Sequence, residues 1–338
     1  MQTSPEWVGS VFQPADLPTS PSSPSYPRNL ALAAIIGLAM GSGIAFLREH
    51  LNEGLRGSGD LEDQVQAPVL AAIPHLMSWR RRDRTQLTAL ESPKGPIAEA
   101  YRTLRTNLQF VARDGDFRIL SVTSPTLGEG KTTTVANLAA TLAQVDKRVI
   151  AVSCDLRKPR LHRFFDLSND VGVSTILAGK TTLAEASQAP AGIDTLRVLA
   201  SGPIPSNPAE MLGSDEMDRF IEDLRQFADF VVIDTPPVLA VADALIVGPK
   251  SDGVIVIADA HATSRGAAAH TREQLEQVGV NIVGCVFNNF DPTQAKYYPY
   301  DNRYYYSSYA YQDKEFIQGP QPPGNGHKDS KAAEEIWG

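Results

Sequence analysis

Cysteine is nearly absent from this chain. Its 338 residues include two, Cys154 and Cys285, each inside an apolar run of strand character. Two such thiols support neither a disulfide framework nor a zinc cluster, and they read as buried core groups. An excess of positive charge is missing as well. Thirty-one Lys and Arg against 39 Asp and Glu leave a net charge of −8, which argues against a broadly basic nucleic-acid-binding surface. Apolar material is not scarce. At 42% hydrophobic and 21% charged, the chain is not wholly disordered. Its length allows a sizeable core in one or two domains.

Long hydrophobic runs are equally rare, with a single case at Leu30–Leu47, where 18 residues carry no charge. As a helix this run spans about 27 Å, close to a bilayer core. A signal peptide would need a basic start and a small-residue cleavage site. Here Arg28 is the sole basic residue upstream, and Arg48-Glu49-His50 ends the run. The run is therefore read as a membrane anchor, against a buried soluble helix as the other alternative. Gly37 and Gly41 form one GxxxG pair, a spacing that also arises by chance in an Ala/Gly-rich helix. Arg48, Arg56, Arg80, Arg81, Arg82 and Arg84 follow the run. The positive-inside rule then puts residues 1–29 outside and everything from residue 48 onward in the cytoplasm. The Arg80–Arg84 cluster reads as a solvated linker or a contact with anionic lipid.

The chain divides by composition. Residues 1–29 repeat Pro and Ser and read as extended chain. Residues 30–47 are the anchor and 48–91 a juxtamembrane connector, with a short helix from Asp60 and a strand-like piece between Pro68 and Pro74. Residues 92–292 read as one globular domain. Its strands are expected at Arg118–Thr123, Arg148–Ser153, Leu196–Ala200, Phe230–Asp234, Val254–Ala258 and Val280–Phe287. Its helices are expected at Ile97–Val111, Thr132–Gln144, Asp215–Phe227 and Arg265–Val278. This alternation predicts an α/β fold, a parallel sheet with helices on both faces. Residues 293–338 read as a solvated tail. Eight of the chain's 10 tyrosines lie at its start: Tyr297, Tyr298, Tyr300, Tyr304, Tyr305, Tyr306, Tyr309 and Tyr311. They lack aliphatic neighbours, so they do not form a core strand.

Ser124-Pro125-Thr126-Leu127-Gly128-Glu129-Gly130-Lys131-Thr132-Thr133 joins an expected strand to an expected helix. That is the setting of a phosphate-binding loop. Gly128 and Gly130 free the backbone to turn its N–H groups onto phosphate oxygens, at a helix N-terminus that favours anions. Lys131 offers charge to the β- and γ-phosphates, and Thr132 offers a hydroxyl to Mg²⁺. Residues 127–133 and Lys131 are the expected ATP site. Pro125 stands where the full GxxxxGK[ST] pattern has its first Gly. Asp234, ending Phe230–Asp234, is the expected second metal residue, against an ordinary strand-end Asp. Asp155, at the carboxyl end of another strand, is placed to orient or deprotonate an attacking hydroxyl and to approach Mg²⁺. A turn or capping Asp is the alternative there.

These segments resemble the bacterial tyrosine kinases of polysaccharide export, whose catalytic domain is a modified P-loop ATPase. Ser124–Thr133 is similar to that family's S-x-x-P-G-E-G-K-[ST]-T loop. Ser153–Pro159 is similar to D-x-D-L-R-K-P, and Val232–Pro237 to V-I-D-T-P-P. Glu99, Arg102 and Arg105 match its E-x-x-R-x-x-R on the first helix of the domain. The resemblance implies that these three join subunits into a ring. The bare spacing implies only an intrahelical ion pair. The resemblance also implies that the tyrosine cluster is an autophosphorylation tail, that Asn288 faces adenine, against a helix or strand-end capping role, and that ATP and Mg²⁺ are bound. The implied partners are the polysaccharide polymerisation and export machinery and a tyrosine phosphatase, at the plasma membrane with a cytoplasmic kinase domain. Nucleic acid is not among them.

The family's large outer domain and first membrane helix have no counterpart here. A short form, a misassigned start or a separate co-polymerase chain would each account for that. Ser153 replaces the first Asp of D-x-D, and Leu127 replaces the loop Pro. A partitioning-type ATPase would carry a second lysine where Thr126 stands. An ATP-binding pseudo-kinase is the rival that Ser153 keeps open.

Overall fold

The computed structural model describes residues 25–50, 54–75, 86–111 and 117–291. The tyrosine cluster and the Arg80–Arg84 cluster lie outside them. The chain divides into two units, residues 1–53 and 54–338.

In the first unit, α1 runs Tyr26–His50. Its segment Tyr26–Ile44 is long and apolar enough to cross a membrane, and none of it is buried. The helix outruns the charge-free stretch at both ends, because backbone hydrogen bonding tolerates Arg28 and Arg48-Glu49-His50 as readily as Leu.

The second unit starts with α2 (Ser58–Val65) and β1 (Val69–Pro74). Next come α3 (Thr88–Glu91), α4 (Pro96–Val111), β2 (Ile119–Thr123), α5 (Lys131–Ala143) and β3 (Val149–Ser153). A 3₁₀ turn at Leu161–Phe165 leads to α6 (Val173–Leu177), α7 (Leu183–Ala186), β4 (Ser187–Gln188) and β5 (Leu196–Leu199). Then follow α8 (Pro208–Leu212), α9 (Asp215–Phe227), β6 (Phe230–Asp234), α10 (Asp243–Val247), β7 (Gly253–Asp259), α11 (Arg265–Gln277) and β8 (Ile282–Phe290). Eight strands make one sheet in the order β1-β8-β7-β2-β6-β3-β5-β4. Every pairing is parallel except β4 with β5.

Central strands carry apolar residues on both faces because both faces are covered. All five residues of β2 and all five of β3 are buried. On one face Leu120, Val122, Val149, Ala151 and Val232 pack with α4 and α5, including Tyr101, Leu104 and Leu138. On the other, Ile150, Val152, Val231 and Ile233 pack against α6 and α9, and Val254, Val256 and Phe287 against α2 and α11. The expected α/β sheet with helices on both faces is the observed one. Ser214 and Ser264 start α9 and α11 by accepting N–H bonds from Met217 and Ala267.

The stretch 48–91, read from sequence as a connector, contributes α2 and β1 to this sheet unit. Strand β1 pairs with β8, a partner more than 200 residues later, which no local pattern announces. The fit is close: a Cβ on Gly284 would lie 2.5 Å from Leu70 Cγ. Leu61 and Val65 seat α2, and Asp60 accepts the Arg265 guanidinium of α11. The expected strand Val280–Phe287 is shifted to Ile282–Phe290, since Val280 belongs to the turn after α11.

Candidate active site

The crossover after β2 runs one way to β3 and the one after its neighbour β6 runs back the other way to β7, so a topological switch point lies at the carboxyl ends of these two strands. The loop Ser124–Gly130 leaves the β2 end and runs into α5. Gly128 and Gly130 have φ of +86° and +95°, a region favouring glycine. At Gly130 a side chain is also excluded by space, because a Cβ would lie 2.2 Å from Asn288 Nδ2. The loop holds itself: Glu129 Oε1 accepts from Thr126 N and Thr126 Oγ1 at 3.2 and 2.6 Å. Glu129 is buried, and burial pushes its carboxyl up to about 7 against the opposing pull of those bonds and of Lys131. Leu127 is exposed on the loop, while Thr132 and Thr133 lie in the first turn of α5.

Lys131 is nearly buried. Desolvation lowers its pKa, opposed by the charges of Asp234, Asp155 and Glu129. The sheet brings Asp234 beneath the loop: Thr132 Oγ1 donates to Asp234 Oδ2 at 2.8 Å. Burial, reinforced by the charge of Asp155, raises the Asp234 carboxyl to about 7. Asp155 follows β3. Its Oδ1 accepts the N–H groups of Arg157 at 3.2 Å and Lys158 at 2.9 Å. The turn and the site readings of Asp155 are therefore compatible: Oδ1 shapes the turn, and Oδ2 takes no hydrogen bond among the described residues.

Ser153 and Asp234 are register partners on β3 and β6, with side chains on the α5 face. Ser153 Oγ and Asp234 Oδ1 are both buried and without a hydrogen-bond partner among the described residues. Two orphaned oxygens beside Thr132 and a lysine facing three carboxylates fit a hydrated Mg²⁺ that keeps several of its waters.

Asn288 also contacts the loop. Its Nδ2 donates to the Glu129 carbonyl at 2.8 Å, so the group bears on the back of the loop and holds it to β8. That contact uses one N–H of the amide and leaves its second N–H and Oδ1, so it is compatible with the expected place of Asn288 against adenine. No local pattern announces this pairing, which joins residues 159 apart.

On α4, Arg102 pairs with Glu99 at 2.7 Å and also reaches the Pro93 carbonyl. Arg105 donates to the Thr141 carbonyl of α5 at 3.1 Å. Of the three, Glu99 and Arg102 form the intrahelical pair that spacing alone implied, and Arg105 ties α4 to the loop-bearing helix.

A family model described as an AAA domain matches residues 117–279. The tyrosine-protein kinase YwqD of Bacillus subtilis (strain 168) is 40% identical over 207 residues, covering 61% of this chain and 87% of that protein. The chain belongs to the bacterial tyrosine-protein kinase family. A putative tyrosine-protein kinase EpsB of Ralstonia solanacearum is 32% identical over 94% of this chain and 43% of its own length. The chain thus spans about two fifths of that relative, and 42% of the tyrosine-protein kinase etk of Escherichia coli (strain K12). The solved kinase domain of Escherichia coli tyrosine kinase ETK superposes with a TM-score of 0.66 at 33% identity, covering 70% of this chain and 96% of that one. The likeness shows a shared fold over 70% of this chain.

Proposed function

We propose that this chain is a membrane-anchored, ATP-dependent protein-tyrosine autokinase whose acceptors are Tyr297, Tyr298, Tyr300, Tyr304, Tyr305, Tyr306, Tyr309 and Tyr311. The observation that carries the reading is the Thr132–Asp234 bond beneath a glycine-turned loop with Lys131 at its end. Loop amides and Lys131 hold the β- and γ-phosphates of ATP. Thr132, Asp234 and Asp155 are the residues that would hold Mg²⁺. The ion supplies positive charge to the phosphoryl oxygens. Asp155 Oδ2 accepts the phenolic proton as the tyrosine oxygen bonds to the γ-phosphorus. The bond from that phosphorus to the β–γ bridging oxygen breaks, and ADP leaves with the electron pair.

Donor and acceptor belong to neighbouring chains in this reading, in a ring through Glu99, Arg102 and Arg105. Each phosphate adds about −1.5 to −2 charges. Crowded phosphorylated tails would repel and loosen the ring, and so switch polysaccharide polymerisation or export. Support for anchoring is the apolar helix segment Tyr26–Ile44.

One observation favours a second reading, an ATP-binding pseudo-kinase. Ser153 Oγ is buried and has no hydrogen-bond partner among the described residues, where the family has an acidic side chain, so the site has one negative charge fewer. Incubation with Mg²⁺ and γ-labelled ATP, beside Lys131→Met, separates the two. Label on tyrosine that disappears in the variant supports the autokinase. Nucleotide binding without label supports the pseudo-kinase, and Ser153→Asp is then the variant expected to recover transfer.

A further inference from the structure

The segment from the end of β6 to the start of α10 bridges the phosphate loop and the Asp155 turn. Beside the phosphate loop, Thr235 Oγ1 donates to the Val122 carbonyl at 2.9 Å, and Val238 N to the Ser124 carbonyl at 2.9 Å. Thr123 Oγ1 donates to the Pro236 carbonyl at 2.9 Å. At its far end stands Asp243, fully buried. There Asp243 accepts a two-pronged bond from a residue of the Asp155 turn: Arg157 Nε to Oδ2 at 2.8 Å and Nη2 to Oδ1 at 2.9 Å. Planar fork-on-fork pairs of this kind fix orientation as well as distance.

Arg157 is one of the two residues whose N–H groups lie on Asp155 Oδ1. Its backbone thus shapes the carboxylate while its side chain is clamped elsewhere. Leu156, between them, is fully buried, so the turn is pinned from inside as well.

We infer that Asp243 is a positioning residue for Asp155: by clamping Arg157 it fixes the turn that aims Asp155 Oδ2 at the phosphoryl site. The segment 235–243 acts as a brace from the phosphate loop to that turn. The inference rests on the proposed kinase reading only in its catalytic readout. An uncompensated Arg157 guanidinium, already 40% exposed on its side chain, is free to hydrate when Asp243 is neutralised. Asp243→Asn should therefore fold.

The test compares the full chain with Asp243→Asn, Asp243→Glu, Arg157→Met and Asp155→Asn, alone and combined. Asp243→Asn should lower kcat at least 10-fold, leave KM for ATP within about 3-fold, and preserve nucleotide affinity without Mg²⁺. Asp243→Glu should recover part of the loss. Asp243→Asn should cost nothing further in the Arg157→Met or the Asp155→Asn background, the signature of residues acting as one unit. Additive losses, or a raised KM with unchanged kcat, would overturn the inference. If the wild-type chain transfers no phosphate, the kinase reading fails separately. The clamp is then read from the gain in ADP affinity that Mg²⁺ confers: a smaller gain in Asp243→Asn supports it, and an equal gain overturns it.

Discussion

Thr132 Oγ1 and Asp234 Oδ2 lie 2.8 Å apart, joining the first turn of α5 to the end of β6. The pair gathers what would hold Mg²⁺ onto two rigid elements. Thr132→Ala leaves both oxygens of a buried carboxylate without a hydrogen-bond partner among the described residues, since Oδ1 has none there already. The nucleotide-free variant should lose about 1–3 kcal/mol of stability, the usual cost of an orphaned buried group. Phosphotransfer should fall about 10²–10³-fold, as when one preorganised electrostatic group is removed. Thermal unfolding and initial rates check the two effects independently.

Glu129 gives the fold a pH signature. Its carboxyl is raised to about 7, so the folded state keeps the proton longer than the unfolded state. Stability from this group is full below its unfolded value and is lost as pH rises through about 7. Glu129→Gln keeps an oxygen acceptor for Thr126 and removes the titration. In denaturant melts without nucleotide the variant should be the more stable chain at pH 8, by roughly 2–3 kcal/mol. The gap should close near pH 4.5, the group's ordinary value. Parallel profiles for the two chains would contradict this.

Gly128 and Gly130 should respond unequally to alanine. Both have positive φ, which costs an L-residue about 1–2 kcal/mol. Space is open at Gly128, whereas at Gly130 the new Cβ meets Asn288 Nδ2. Gly130→Ala must therefore displace Asn288 or the loop. It should lose nucleotide affinity at least 10-fold more than Gly128→Ala, as measured by fluorescent ADP titration.

Asn288 supports the loop, so its removal should not change which base is bound. Asn288→Ala leaves the Glu129 carbonyl without its donor and should weaken ATP and GTP by the same factor, about 5–150-fold for 1–3 kcal/mol. A loss selective for ATP would place Asn288 on adenine as well.

Strands β2, β3, β6 and β7 were legible because burial on both faces writes them as continuous apolar runs. The loop was legible because its glycines, lysine and threonine are consecutive. Strand β1 was visible as an apolar piece between Pro68 and Pro74, yet its place at the sheet edge depends on pairing with β8. The two-residue β4 and the five-residue helices α6 and α8 are too short to show a period. Contacts between distant positions were silent: Asn288 on Glu129, and Arg157 on Asp243 across 86 residues. Asp155 was ambiguous in sequence because turn and catalytic roles favour the same residue, and the structure shows the turn role on Oδ1 while Oδ2 takes no hydrogen bond among the described residues.

The most direct test of the central claim is intact-mass spectrometry of the purified chain after incubation with Mg²⁺ and ATP, with peptide mapping and Lys131→Met alongside. The account predicts a ladder of added phosphates confined to Tyr297–Tyr311 and missing from the variant. An unshifted mass with ATP bound, or phosphates mapping elsewhere, would contradict it.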